Sequence, residues 1–175
     1  MPKLLTAALF CVLSGPAAAE THTFGAFIVD DTHPTVAVLN GPIAHHTPLD
    51  FRRVVDAFPV QTLGLNSTGG DVSAGLVLAL EIHDRAIDTV ISSDAGCYSA
   101  CAYVFLAGSS RQVDGVIGVH MPSPIETRVL TELDIRFVLA KFDVPIWIYD
   151  GILNMPHDDI RVFDAAEAAR IGLNR

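Results

Sequence analysis

Short apolar runs alternate along this chain with stretches in which apolar residues recur every three or four positions. Thr35-Val36-Ala37-Val38-Leu39-Asn40 is a continuous run closed by Gly41-Pro42, which predicts a buried strand. Thr47-Pro48 opens a helix over 47–58, because proline suits a first helical turn and Leu49, Val54, Val55 and Phe58 keep helical spacing. A strand over 61–65 runs into Asn66-Ser67-Thr68-Gly69-Gly70, and a helix follows over 72–85. Next come a strand over 89–92, a turn at Asp94-Ala95-Gly96, and a helix over 99–106 so apolar all round that it must be buried. The run Val116-Ile117-Gly118-Val119 predicts a strand with His120 at its tip. Residues 126–142 read as helix, and 144–155 hold Ile146, Trp147, Ile148, Tyr149, Ile152 and Leu153, either core or an oligomer face. The chain finishes with Arg161-Val162-Phe163 and a helix over 164–171, capped by Asp164 with Glu167 three residues on and Gly172 past its end. Residues 20–34 show an apolar patch at 24–29 and predict no defined element. Strands alternating with helices imply an α/β layered fold, a mostly parallel sheet covered by helices.

The N-terminus follows a different rule. Lys3, the apolar run 4–13, the break at Gly15-Pro16 and the small residues Ala17-Ala18-Ala19 have the layout of a secretory signal peptide cut after Ala19. The run is short of the ~20 residues a membrane span needs, so no anchor is expected after cleavage. Residues 20–175 are then expected to form a single periplasmic or secreted domain. Loss of Lys3 leaves ten basic against twenty acidic residues, a net charge of −10 with the arginines scattered. An acidic chain without a basic stripe is a poor partner for nucleic acid or anionic lipid. Export also argues against nucleotide or coenzyme A chemistry, so no cofactor is expected.

Cysteine usage adds one feature. Cys97 and Cys101 are four residues apart. On a helical turn that spacing separates Cα atoms by ~6 Å, within disulfide range. The pair reads either as a bridge or as two small buried apolar residues. No further cysteine remains for a zinc site and no histidine pair stands at ligand spacing, so no metal is expected. His45 and His46 are adjacent and read as loop residues.

Three segments carry candidate chemistry, each with an ordinary alternative. Gly69-Gly70 before a helix allows outward backbone N–H groups, yet is most often a tight turn. Ser99, among small residues at a helix start, fits a nucleophile elbow, yet on local grounds an N-cap serves as well. His120 by itself is an ordinary strand-end histidine.

Taken in order and spacing, the three resemble the Clp proteolytic-subunit family and its crotonase-superfamily relatives. Ser99 follows the second glycine by 29 residues, and His120 follows the serine by 21. The segments Asn66-Ser67-Thr68-Gly69-Gly70-Asp71-Val72, Ser99-Ala100 and Gly118-Val119-His120-Met121-Pro122 carry the likeness, with the tail from Arg161 to Leu173. The resemblance implies a layered ClpP/crotonase-like fold and a serine peptidase in which Ser99 is the nucleophile and His120 the base. The N–H groups of Gly70 and Ala100 would form the oxyanion hole. It implies a peptide or protein substrate and a homo-oligomer. The family's acid precedes the position of Arg161, where this chain has Ile160, so Asp159, and after it Asp158, is the expected carboxylate. Two alternatives come with these departures: a catalytically silent binding or assembly module, and a Ser99–Lys141 dyad. A crotonase-like thioester enzyme fits export poorly.

Overall fold

The computed structural model describes residues 20–123, 132–144, 148, 154–156 and 158–175. The expected signal peptide, most of 144–155 and the first part of the expected 126–142 helix lie outside the described residues. Nine strands are described: β1 Thr21–Phe24, β2 Phe27–Asp30, β3 Val36–Asn40, β4 Thr62–Asn66, β5 Asp88–Ile91, β6 Gly96–Tyr98, β7 Arg111–Val113, β8 Val116–Val119 and β9 Arg161–Asp164. The helices are α1 Thr47–Ala57, α2 Val72–Asp84, α3 Ala100–Leu106, α4 Glu132–Leu139 and α5 Ala165–Arg170, with a 3-10 turn at Ala140–Phe142.

The larger sheet has the order β1-β2-β3-β4-β5-β7, and the smaller the order β6-β8-β9. β3, β4, β5 and β7 pair in parallel, as the alternating pattern predicts. The residues left undefined by the sequence form a hairpin, β1 and β2, that extends the larger sheet antiparallel along β3. Both three-residue strands also escape a pattern reading, and β6 begins at Gly96, the last residue of the expected turn, and takes in Cys97 and Tyr98, for which no element was expected.

Packing follows the period of two. Ala37, Leu39, Leu63, Leu65 and Ile91 are at most 1% exposed, while Val38, Gly64 and Val90 on the other face are half-buried. The buried face meets the helices. α2 starts where the Asp71 side chain accepts the Ala74 N–H. It packs closely on α3, because a Cβ on Gly75 would stand 3.0 Å from the Ala100 carbonyl oxygen. Every residue of α3 is buried. Each of Tyr103, Val104, Phe105 and Leu106, so enclosed, stabilises the fold by about 1.5–3 kcal/mol.

Arg111 ties this core helix to the chain end. Its buried guanidinium donates to the carbonyls of Leu106 (3.0 Å), Leu173 (3.3 Å) and Phe142 (3.3 Å). Its backbone exchanges two hydrogen bonds with Arg175. Burial pushes the guanidinium below its ordinary value, the charge of Arg175 adds to that, and Asp143 opposes it. The bonds to three carbonyls are what make a buried cation tolerable here.

Candidate active site

The two sheets meet where the end of β4 lies along β6. Ser67, just past β4, bridges in parallel to Cys97 in β6, and Tyr98 N–H donates to the Ser67 carbonyl at 2.9 Å. β6 therefore carries the chain from the sheet junction straight into α3, and Ser99 is the single residue between them. Its backbone stands at φ 55°, ψ −123°, on the positive side that a side chain disfavours. Such a conformation costs of order 1–3 kcal/mol and persists only where the surroundings over-determine it. Here they do. Ser99 N–H donates to Gly118 O at 2.9 Å, Ala102 N–H donates to Ser99 O at 2.8 Å, and Cys97 is joined to Cys101 across the serine. The bridge has an S–S distance of 2.06 Å and a Cα separation of 5.3 Å. The Ser99 hydroxyl caps no N–H of α3, so the local cap reading does not describe it.

The Gly-Gly turn lies against this elbow. A Cβ on Gly69 would meet the Tyr98 carbonyl oxygen at 2.5 Å, Ser99 Cβ at 2.8 Å and Ala100 N at 2.9 Å, so only glycine fits. Gly69 C=O accepts from Ile43 N–H, and Asp71 N–H donates to Ile43 O. Backbone alternation then turns the N–H of Gly70 away from Ile43. Among the described residues neither the Gly70 nor the Ala100 N–H has a partner. The second of these N–H groups sits at the start of α3.

β8 delivers the histidine. Its parallel register pairs Tyr98 with Gly118, and Ser99 N–H donates to the carbonyl of Gly118, two residues before His120. The His120 ring is half-buried, and Nδ1 lies 2.7 Å from the Met121 carbonyl oxygen. A carbonyl only accepts, so Nδ1 carries the proton and Nε2 is the basic nitrogen of the neutral ring. The antiparallel ladder of β8 with β9 ends at Val119 and Arg161, one residue short of His120 and Ile160, and the Ile160 side chain reaches the face of Gly118. Asp159 precedes Ile160; it is exposed, and its Oδ1 accepts the Ile160 N–H at 2.9 Å. Asp158 is exposed as well. Met121 N–H donates to Met155 O at 3.0 Å, which folds the segment before β9 back toward the histidine.

No protein-family model and no curated protein matches the sequence. Among solved structures, a ClpP1 mutant from Listeria monocytogenes matches with a TM-score of 0.60 and 18% identity, over 81% of this chain and 89% of that one. A mutant of the 1510-N membrane-bound stomatin-specific protease matches with a TM-score of 0.60 and 17% identity, over 80% of this chain and 76% of that one. The fold is that of the Clp peptidases. This is the layered fold expected from the order of Gly-Gly turn, serine and histidine. At these identities the Clp-type architecture is what is shared, and the chemistry has to be argued from the residues themselves.

Within the Clp-type frame the other candidate groups find ordinary places. Lys141 is exposed in the 3-10 turn, with its ammonium over the Phe137 ring. His45 Nδ1 lies 3.6 Å from the Asp71 carboxylate, and His46 precedes α1 with its Nε2 3.5 Å from the Asp50 carboxylate. Glu20, His22 and Asp31 bring three ligand atoms within 4.8 Å of one another on the β1–β2 hairpin, a grouping that sequence spacing does not reveal.

Proposed function

We propose that the chain is an exported serine hydrolase acting on peptide or protein substrates. Ser99 Oγ attacks the substrate carbonyl while His120 Nε2 takes its proton and later returns it to the leaving group. The N–H groups of Gly70 and Ala100 hold the oxygen on which negative charge develops, and the start of α3 adds its dipole. The Met121 carbonyl fixes the tautomer that leaves Nε2 basic, and Asp159, with Asp158 as the alternative, is the carboxylate proposed to replace that carbonyl at Nδ1 when the imidazolium forms. One observation carries this reading: Ser99 is held in a costly backbone conformation while its hydroxyl is committed to no cap.

Export rests on the Lys3, apolar-run and Ala17–Ala19 layout, and the Cys97–Cys101 bridge fits an oxidising compartment. Leu133 and Phe137, one turn apart on α4 and 75% and 70% exposed, favour a homo-oligomer. Labelling by a fluorophosphonate probe, which requires an activated serine, tests the enzyme reading. Wild-type protein should label, and Ser99→Ala or His120→Ala should abolish labelling without loss of fold. A second reading, a silent binding or assembly module, is favoured by Ile160 standing directly before Arg161, where the resemblance puts the acid. Folded wild-type protein that never labels would decide for it.

A further inference from the structure

We propose that the Cys97–Cys101 disulfide is a positioning element for Ser99, holding the nucleophile's backbone rather than the fold as a whole. The proposal deepens the hydrolase reading and rests on it where labelling is concerned. A staple for the fold joins segments distant in sequence; this bond spans a separation of four residues, and Tyr98, Ser99 and Ala100 are all that lies between. Its two ends are already fixed. Cys97 is in β6, paired with Ile117 and bridged to Ser67, and Cys101 is in the first turn of α3, which is buried throughout. The residues whose freedom the bond removes are therefore those of the elbow.

That freedom matters because Ser99 stands at φ 55° and relaxation would relieve it. Relaxation would also move the Ala100 N–H, whose nitrogen lies on the side where Gly69 approaches without a side chain. With the bond in place, a shift of the serine has to carry both β6 and α3 along. Both sulfur-bearing residues are 0% exposed, so the bond is shielded from thiols in the folded protein and acts as a fixed part of the site.

The test compares wild-type protein with Cys97→Ala/Cys101→Ala, and also with wild-type protein unfolded, reduced and refolded under reductant without oxygen. The second arm keeps both side chains and loses only the bond, which covers the case of a double variant that fails to fold. Amide hydrogen exchange is read at Ser99 and Ala102, whose N–H bonds to Gly118 and Ser99 define the elbow. Without the bond both amides should exchange about ten-fold faster while Phe105 in the same helix is unchanged. The fluorophosphonate labelling rate should fall by about ten-fold or more, since small misplacements of a nucleophile cost that much. Its pH dependence should stay put, because the base is untouched. Equal exchange at Ser99 and Ala102 with and without the bond would overturn the proposal. Wild-type protein that never labels, yet loses elbow protection on reduction, would sink the hydrolase reading and leave the positioning role standing.

Discussion

Gly69→Ala presses on the site at its tightest contact. The glycine has φ +83°, where an added Cβ costs about 1–2 kcal/mol. The new methyl would also stand 2.5 Å from the Tyr98 carbonyl oxygen, 2.8 Å from Ser99 Cβ and 2.9 Å from Ala100 N. None of these is the end of a flexible side chain, and the disulfide stops the elbow from backing away. Overpacking of that kind costs a further 1–3 kcal/mol or about that, so the expected loss is roughly 2–5 kcal/mol. Gly172→Ala is the control: its φ is +76°, but nothing lies within 4 Å of the added Cβ. Urea unfolding of both variants, followed by circular dichroism, separates the backbone part from the steric part. Gly69→Ala should lose more than Gly172→Ala by about 1–3 kcal/mol. Its folded fraction should label with fluorophosphonate far more slowly than wild type, whereas Gly172→Ala should label normally. Equal destabilisation by the two substitutions, with Gly69→Ala labelling at the wild-type rate, would refute the contact as described.

Arg111→Ala should destabilise by about 3 kcal/mol in urea unfolding, because three buried carbonyls lose their donor; a loss under about 1 kcal/mol would contradict the clasp. Ile160→Asp places a carboxylate directly before Arg161, one residue past the last β8–β9 pair, and should raise the labelling rate at neutral pH; an unchanged or lower rate would speak against that position for the acid. Asp159→Ala should slow labelling less than His120→Ala does, and Asp158→Ala less again; the reverse order of the two aspartates would reassign the carboxylate. Protein recovered from the periplasm should have an intact mass beginning at Glu20, and a retained Met1 in cytosolic protein would remove the export proposal.

The elements that were legible in the sequence are those whose signal is local. Pro48 marks α1, Asp164 with Glu167 marks α5, and the apolar runs at β3, β4, β5 and β8 stand out because buried parallel strands are apolar on both faces. The β1–β2 hairpin was opaque for the opposite reason. β1 is an edge strand of alternating exposed and half-buried residues, Thr21-His22-Thr23-Phe24, and long-range pairing with β3 is what makes strands of it. β6 is three residues long and begins with glycine, so its turn-like composition outweighed any strand pattern.

The same division runs through the site. Small residues around Ser99 and the paired glycines are local necessities of a tight elbow, and they were readable. The positive φ of Ser99, the approach of Gly69 and the partner of His120 Nδ1 depend on which strands lie side by side. Ile160 divides between the two: its place before Arg161 marked it in the sequence, whereas the end of the β8–β9 ladder at Val119 and Arg161, beside it, comes only from the fold.

The most direct measurement is a crystal structure of the protein after reaction with a fluorophosphonate. The proposed function predicts phosphorus bonded to Ser99 Oγ and the phosphonyl oxygen ~3 Å from the N–H groups of both Gly70 and Ala100, with His120 Nε2 turned toward the serine. An adduct on another residue, or an unmodified Ser99 with His120 directed elsewhere, would contradict it.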